Sequence, residues 1–273
     1  MTVDPPIVLR HGTTTVHVHA GAGGRIGQID TGSRTLLTSD AAAGPVHWGS
    51  YPMVPWAGRV GNGTFVWQGE QIRLQRNDPP HALHGIGLLR AWQVTAHAAD
   101  TVELSLALDW PLGGQTRQRI VAGDRRVRCE IEVVADQPMP VVVGWHPWFR
   151  KPDAASLRFG AMYERGRDHL PTGAMVAPPP DPPWDDCFVD PLAPMQLHYR
   201  DPDSGGFDTV VTIDSSCDHW VVYDMTEHST CVEPQSAPPD AFNIGGATVL
   251  QPGERLQHWM TISWRTGVLS PPW

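Results

Sequence analysis

Thr101-Val-Glu-Leu-Ser-Leu-Ala-Leu108 sets Val102, Leu104, Leu106 and Leu108 at every second position, with Glu103 and Ser105 between them. Successive side chains of a strand point to opposite faces, so a period of two describes a strand with one face buried. The same alternation recurs in Thr13-Thr-Thr-Val-His-Val-His19 and in Val127-Arg-Cys-Glu-Ile-Glu-Val133. Shorter stretches repeat it at 64–67, 71–75, 92–96, 117–121, 140–144, 195–199, 209–213, 220–223 and 257–264, most of them bounded by Gly, Pro, Asp or Asn. Many short strands separated by turn signals predict a sandwich or barrel of antiparallel sheets. Apolar residues at helical spacing nowhere run for a dozen residues without a Gly or Pro, which excludes the helix-after-strand architectures. The expectation is an all-β fold, a large antiparallel β-sandwich.

Composition agrees. The 273 residues include 27 Gly and 27 Pro, a loop-rich balance, and are 41% hydrophobic. About 250 residues suits one large all-β domain, so residues 1–273 are read as a single domain. Ala177-Pro-Pro-Pro-Asp-Pro-Pro183 cannot donate backbone hydrogen bonds at its prolines and is expected to be a surface loop, since alternation continues on both sides of it. Gly21-Ala-Gly-Gly-Arg-Ile26 lacks the third glycine of a dinucleotide fingerprint and the helix that should follow, so it is read as a turn between strands.

A net charge of −9 argues against nucleic acid as a partner. Lysine occurs once, at Lys151 beside Pro152, which removes phosphate loops and Schiff-base chemistry from consideration. The four cysteines, Cys129, Cys187, Cys217 and Cys231, form no C-x-x-C pair and are expected to be buried free thiols. There is no basic start followed by an apolar run, and no apolar stretch approaches about 18 residues, so no membrane partner is expected and the setting is read as cytoplasmic. No G-x-S-x-G elbow is present for acyl transfer. Among the 13 histidines, His17 and His19 would share a face of one strand, but no acidic third ligand follows, so a surface-facing pair on an edge strand is preferred to a metal site.

Five segments concentrate residue types that strand formation does not require: Pro55–Asn62, His81–Gly85, Gly144–Phe149, Trp184–Phe188 and Cys231–Asn243. Each follows or interrupts a strand and mixes Trp, Phe or His with an acid, base or amide. Rings that pack on C–H faces beside paired donors and acceptors suit a sugar.

In these segments the chain resembles the aldose 1-epimerases (galactose mutarotases), from the Gly21 turn to Trp264. The resemblance rests on Gly58-Arg-Val-Gly-Asn62, Leu83-His-Gly85, His146-Pro-Trp-Phe149, Asp185-Asp-Cys-Phe188 and Glu233-Pro-Gln235 through Pro239-Asp-Ala-Phe-Asn243, in that order. It implies a β-supersandwich with a sugar groove across one sheet, no metal and no cofactor, in a monomer or homodimer. It also implies Glu233 as general base, His146 as general acid, and Arg59, His84 and Asp185 as ligands to sugar oxygens. Strand alternation sends Asp185 and Asp186 to opposite faces, so only one is expected to meet the sugar, and the motif favours Asp185. The arginine block runs on as Gly61-Asn-Gly-Thr64 and Leu83-His-Gly85 is followed by Ile86, departures that bear on the substrate more than on the chemistry.

One base and one acid flanking a single C1–O5 unit suffice to open and reclose a sugar ring. The rival enzymatic reading is a hexose 6-phosphate epimerase, which needs a cationic pocket from among Arg73, Arg76, Arg90, Arg125, Arg126 and Arg128. The non-enzymatic one is a carbohydrate-binding β-sandwich that keeps the groove and dispenses with turnover.

Overall fold

A computed structural model describes residues 5–269. Two large antiparallel sheets dominate it. The ten-stranded sheet runs, in spatial order, Ile7–His11, Thr14–His19, Arg25–Asp30, Ser50–Met53, Gly144–Arg150, Ser229–Gln235, His219–Tyr223, Asp185–Pro191, Phe159–Arg165 and Pro171–Val176. The eight-stranded sheet runs Ala154–Ser156, Met195–Arg200, Phe207–Ser215, Arg255–Leu269, Arg126–Val134, Gln115–Gly123, Thr101–Ala107 and Gln93–His97. Among the described residues the α-helix is confined to Ala241–Ile244. The protein is therefore the all-β sandwich that alternation predicts.

One apolar core fills the space between the sheets. Val102, Leu104, Ile120, Val127, Ile131 and Ile262 face it from the eight-stranded sheet, and Val16, Val18, Trp145, Phe149, Phe188, Val222 and Val232 from the other. A polar link crosses this core. The Gln118 amide donates to the Gly24 carbonyl at 2.7 Å while its oxygen accepts from Trp145 Nε1 at 3.1 Å. Both groups are buried, so each satisfies a donor or acceptor that would otherwise be costly.

The turn at Gly21–Gly24 forms as expected, closed by a short 3-10 turn over Ala20–Ala22. Gly23 needs to be glycine: its φ is +84° and the Leu88 carbonyl lies where a Cβ would stand. The stretch 177–183 is a largely exposed loop. Two expectations are corrected. His17 and His19 do share a strand face, but Thr14–His19 lies between two other strands and is no edge. The segments Gly144–Phe149, Asp185–Phe188 and Cys231–Gln235 are themselves strands of the ten-stranded sheet. They lack clean alternation because Gly144–Phe149 and Ser229–Gln235 are buried at every position, with no water-facing side to select polar residues.

Candidate active site

Strand register assembles the site. Gly144 pairs with Gln235 and Trp148 with Cys231, which sets His146 level with Glu233. His146 also pairs with Tyr51, Glu233 with Val221, and Val221 with Cys187. Directly opposed residues project from the same sheet face, so Tyr51, His146, Glu233, Val221 and Cys187 form one row across five strands. Their neighbours Trp145, Val232, Val222 and Phe188 point the other way, into the core. The row forms the floor of a cavity of about 450 Å³ on the outer face of the ten-stranded sheet.

At the centre, His146 Nε2 lies 3.2 Å from Glu233 Oε1, and both residues are buried. Burial raises the Glu233 carboxyl well above its ordinary range, and the nearby Asp185 adds to the effect. Burial also lowers His146, to about 3, and the Arg25 guanidinium acts in the same direction. Burial thus disfavours charge on both partners, favouring the protonated carboxyl and the neutral imidazole. Gln235, two residues along the same strand face, donates its amide to Glu233 Oε2 at 3.4 Å.

The His146 ring sits in an aromatic stack. Tyr51 stacks with it at 4.9 Å between ring centroids and Trp148 at 5.1 Å, while His84 meets His146 edge-on at 4.9 Å. Beyond Tyr51 stands Arg25, fully buried, its guanidinium 5.1 Å from the Tyr51 ring and 4.4 Å from that of Trp48. Arg25 donates to the carbonyls of Ala22, Trp48 and Leu88. Burial brings its pKa down to about 10, which leaves it charged at neutral pH. A cation held by three carbonyls thus anchors the stack that orients His146.

Loops supply the remaining wall. Arg59 reaches the cavity from the short strand Arg59–Val60, with Nε 2.9 Å from Asp78 Oδ2. His84 follows the partner strand Ala82–Leu83 with φ +58° and donates its backbone N–H to the Gly58 carbonyl. Asn77 clamps both backbone groups of Leu83, fixing the approach to His84. Burial holds the His84 imidazole well below its usual pKa, and His146 and Arg59 act in the same direction. The Pro239–Asn243 block is a brace: Asp240 donates its backbone N–H to the Arg59 carbonyl and accepts from the N–H of Gly61.

The cavity brings together all five residues picked out in the sequence, Glu233, His146, Arg59, His84 and Asp185. One expectation about them is corrected. Asp185 and Asp186 both border the cavity, because Arg165 lies between them, with Nη1 2.7 Å from Asp185 Oδ2 and Nε 3.3 Å from Asp186 Oδ1. Asp186 Oδ2 also accepts from the Asp185 N–H, which turns its carboxylate back toward the strand end. The sequence reading missed Arg165, Asp78, Tyr51 and Arg25. Arg165 ends its strand 20 residues before Asp185 and carries no local signal, whereas Arg25 stands inside the quoted glycine turn. The rival phosphate pocket does not assemble: Arg73, Arg76, Arg90, Arg125, Arg126 and Arg128 are absent from the cavity wall. Arg90, Arg125 and Arg128 instead lie beside Asp109, Asp124 and Glu130.

A β-supersandwich whose sheet face carries a buried carboxyl–imidazole pair under a polar, aromatic-walled cavity defines a class, the mutarotase-like sugar epimerases. The chain belongs to the aldose 1-epimerase family, whose family model matches residues 5–263. Over 125 residues it is 31% identical to the uncharacterized protein YphB of Escherichia coli (strain K12), an alignment spanning 43% of this chain and 40% of that relative. Its fold is similar to that of a galactose mutarotase-like protein from Clostridium acetobutylicum, with a TM-score of 0.79, 16% identity and 95% of each chain covered. It is similar also to a galactose 1-epimerase from Lactobacillus acidophilus NCFM, with a TM-score of 0.78, 16% identity and coverage of 96% of this chain and 94% of that one.

Proposed function

We propose that this protein is a single-domain aldose 1-epimerase that interconverts the α and β anomers of an unphosphorylated hexose such as glucose or galactose. The observation that carries the reading is the 3.2 Å approach of His146 Nε2 to Glu233 Oε1 on the cavity floor. That contact lets one proton reside on either group, so a neutral pair and an ion pair with an ionised Glu233 are two placements of the same proton. In the working placement Glu233 takes the proton of the C1 hydroxyl while protonated His146 gives one to the ring oxygen. The ring opens, the aldehyde turns about C1–C2, and the steps reverse. Arg59, His84 and Asp185 hold sugar oxygens, with Trp148, Tyr223 and Tyr163 offering aromatic surface along the wall.

Charge supports an uncharged substrate. Asp78, Asp185 and Asp186 border the cavity against the two guanidinium groups of Arg59 and Arg165, each already beside a carboxylate. A phosphate dianion would meet excess negative charge. The test is polarimetry with α-glucose, α-galactose and a hexose 6-phosphate. Faster mutarotation of a free hexose is expected; acceleration confined to the phosphate ester would overturn the substrate assignment, and sugar binding without acceleration would make the protein a binding module.

A further inference from the structure

Among the described residues, three donors of metal-ligating type converge at one place. A ring nitrogen each of His84 and His146 and a carboxylate oxygen of Glu233 lie within 4.8 Å of one another, and all three residues are buried. We propose that this cup binds one divalent cation of the zinc class and that the bound ion inhibits the enzyme by occupying the groups that move the proton. The inhibitory half of the proposal rests on the epimerase reading above; the binding half does not.

The geometry is close to what such an ion takes. Zinc sits about 2.0–2.2 Å from nitrogen and oxygen donors, which places neighbouring donors of a tetrahedron about 3.3–3.6 Å apart. Glu233 Oε1 and His146 Nε2 are already 3.2 Å apart, so the pair needs almost no adjustment. The His84 nitrogen must close by at most about 1.5 Å to complete a three-ligand face, and His84 stands in the loop just after the short strand Ala82–Leu83. The fourth position opens on the cavity, the arrangement of a site with three protein ligands and one exchangeable one. Two imidazoles and one carboxylate favour zinc, cobalt, nickel or copper over magnesium or calcium, which take all-oxygen sets. A buried carboxylate is costly without a cation, and among the described residues Glu233 has no arginine or lysine within ion-pairing distance. By contrast, His11 and Asp100 approach at 3.7 Å but are exposed, and His17 pairs with Val8 and Gln28, neither of them an acid.

The ion would cover the position where the C1–O5 unit must sit, so metal and sugar should exclude one another. Zinc titrated calorimetrically into chelator-treated protein should bind at one ion per chain and compete with galactose, and cobalt in its place should show the visible absorption of a low-coordinate site. His84→Asn keeps the left-handed backbone that asparagine tolerates. It and Glu233→Gln should each weaken zinc binding by at least ~30-fold, whereas His17→Asn should leave it unchanged, with thermal melts confirming that each variant is folded. Zinc should slow anomer exchange and chelator restore it. Absence of binding, or binding that survives His84→Asn and Glu233→Gln, would overturn the site. Activity lost on chelation and regained with zinc would overturn the inhibitory role. A metal-free protein that binds zinc yet never speeds anomer exchange would mean that the epimerase reading fails and the metal site stands.

Discussion

In the eight-stranded sheet, Gln115–Gly123 alternates exposed and buried residues along most of its length, whereas Ser229–Gln235, in the middle of the ten-stranded sheet, is buried at every position. The first strand has a solvated face, where Arg119 lies 3.6 Å from Glu103 and 3.7 Å from Glu130. The second has a core on one side and the cavity floor on the other. Charge in water is stabilised by the solvent and changes little when neutralised, while charge in a closed row is held at a shifted pKa by its surroundings. The sandwich keeps its chemistry in the sheet that gives up its solvent face.

The largest effect that can break this contrast is on turnover. Glu233→Gln and His146→Asn should each lower the rate of anomer exchange by ~100-fold or more, whereas Arg119→Gln on the solvated face should leave it within about twofold. Steady-state polarimetry of the three variants makes the comparison.

Next comes the anchor of the aromatic stack. Arg25→Met removes the donor to three carbonyls, two of them buried, and frees Tyr51 to shift against His146, so it should destabilise the fold by about 2 kcal/mol or more. It should also lower kcat more than it raises KM, read from urea melts together with kinetics. An unchanged kcat in a folded Arg25→Met protein would reduce Arg25 to a core residue.

At the cavity rim the expected effects are on binding. Arg165→Met and Asp185→Asn should each raise KM, by about tenfold, the size expected for a charge-assisted hydrogen bond. Asp186→Asn should raise it less, since Asp186 keeps its backbone hydrogen bond and its Arg165 contact is longer, 3.3 against 2.7 Å. Equal effects for the two aspartates would remove the distinction between them.

Stability against pH separates the sheets at the smallest scale. Glu233 keeps its proton in the folded chain above the pH at which it is lost unfolded, so stability falls as pH rises from about 4.5 toward the raised value. Glu233→Gln should therefore melt above wild type at neutral pH, with the gain vanishing below the ordinary carboxylate range. His146 runs the opposite way. Lowered from 6.5 to about 3, it stabilises the fold fully above 6.5 and loses that contribution as pH falls between the two values, a limb that His146→Asn should flatten. Arg119→Gln should leave both limbs in place.

The same contrast explains what the amino-acid sequence reveals. Thr101–Ala107 and Arg126–Val134 match their alternating stretches almost residue for residue because one face meets water and selects polar side chains. Gly144–Arg150 and Ser229–Gln235 read as interruptions of the strand pattern, since side chains facing the cavity are chosen for chemistry and not for solvent. Their residues were legible only as motif blocks resembling a family. Arg59, His84, His146, Asp185 and Glu233 were found that way; strand register explains why His146 and Glu233 meet, and the short pair Arg59–Val60 with Ala82–Leu83 brings Arg59 and His84 to the same cavity. Arg165 and Arg25 were not legible in their roles: each acts through contacts between strands far apart in the chain, and local sequence carries no trace of such a contact.

The most direct test of the account measures anomer exchange and sugar binding on the same preparations, by exchange spectroscopy of the α and β anomeric protons and by calorimetry with galactose. Wild type should speed exchange with chelator present. Glu233→Gln should bind the sugar nearly as tightly and lose ~100-fold or more of the acceleration, because an amide fills the row without taking a proton. A Glu233→Gln protein that exchanges anomers at the wild-type rate would contradict the claim that the Glu233–His146 pair moves the proton.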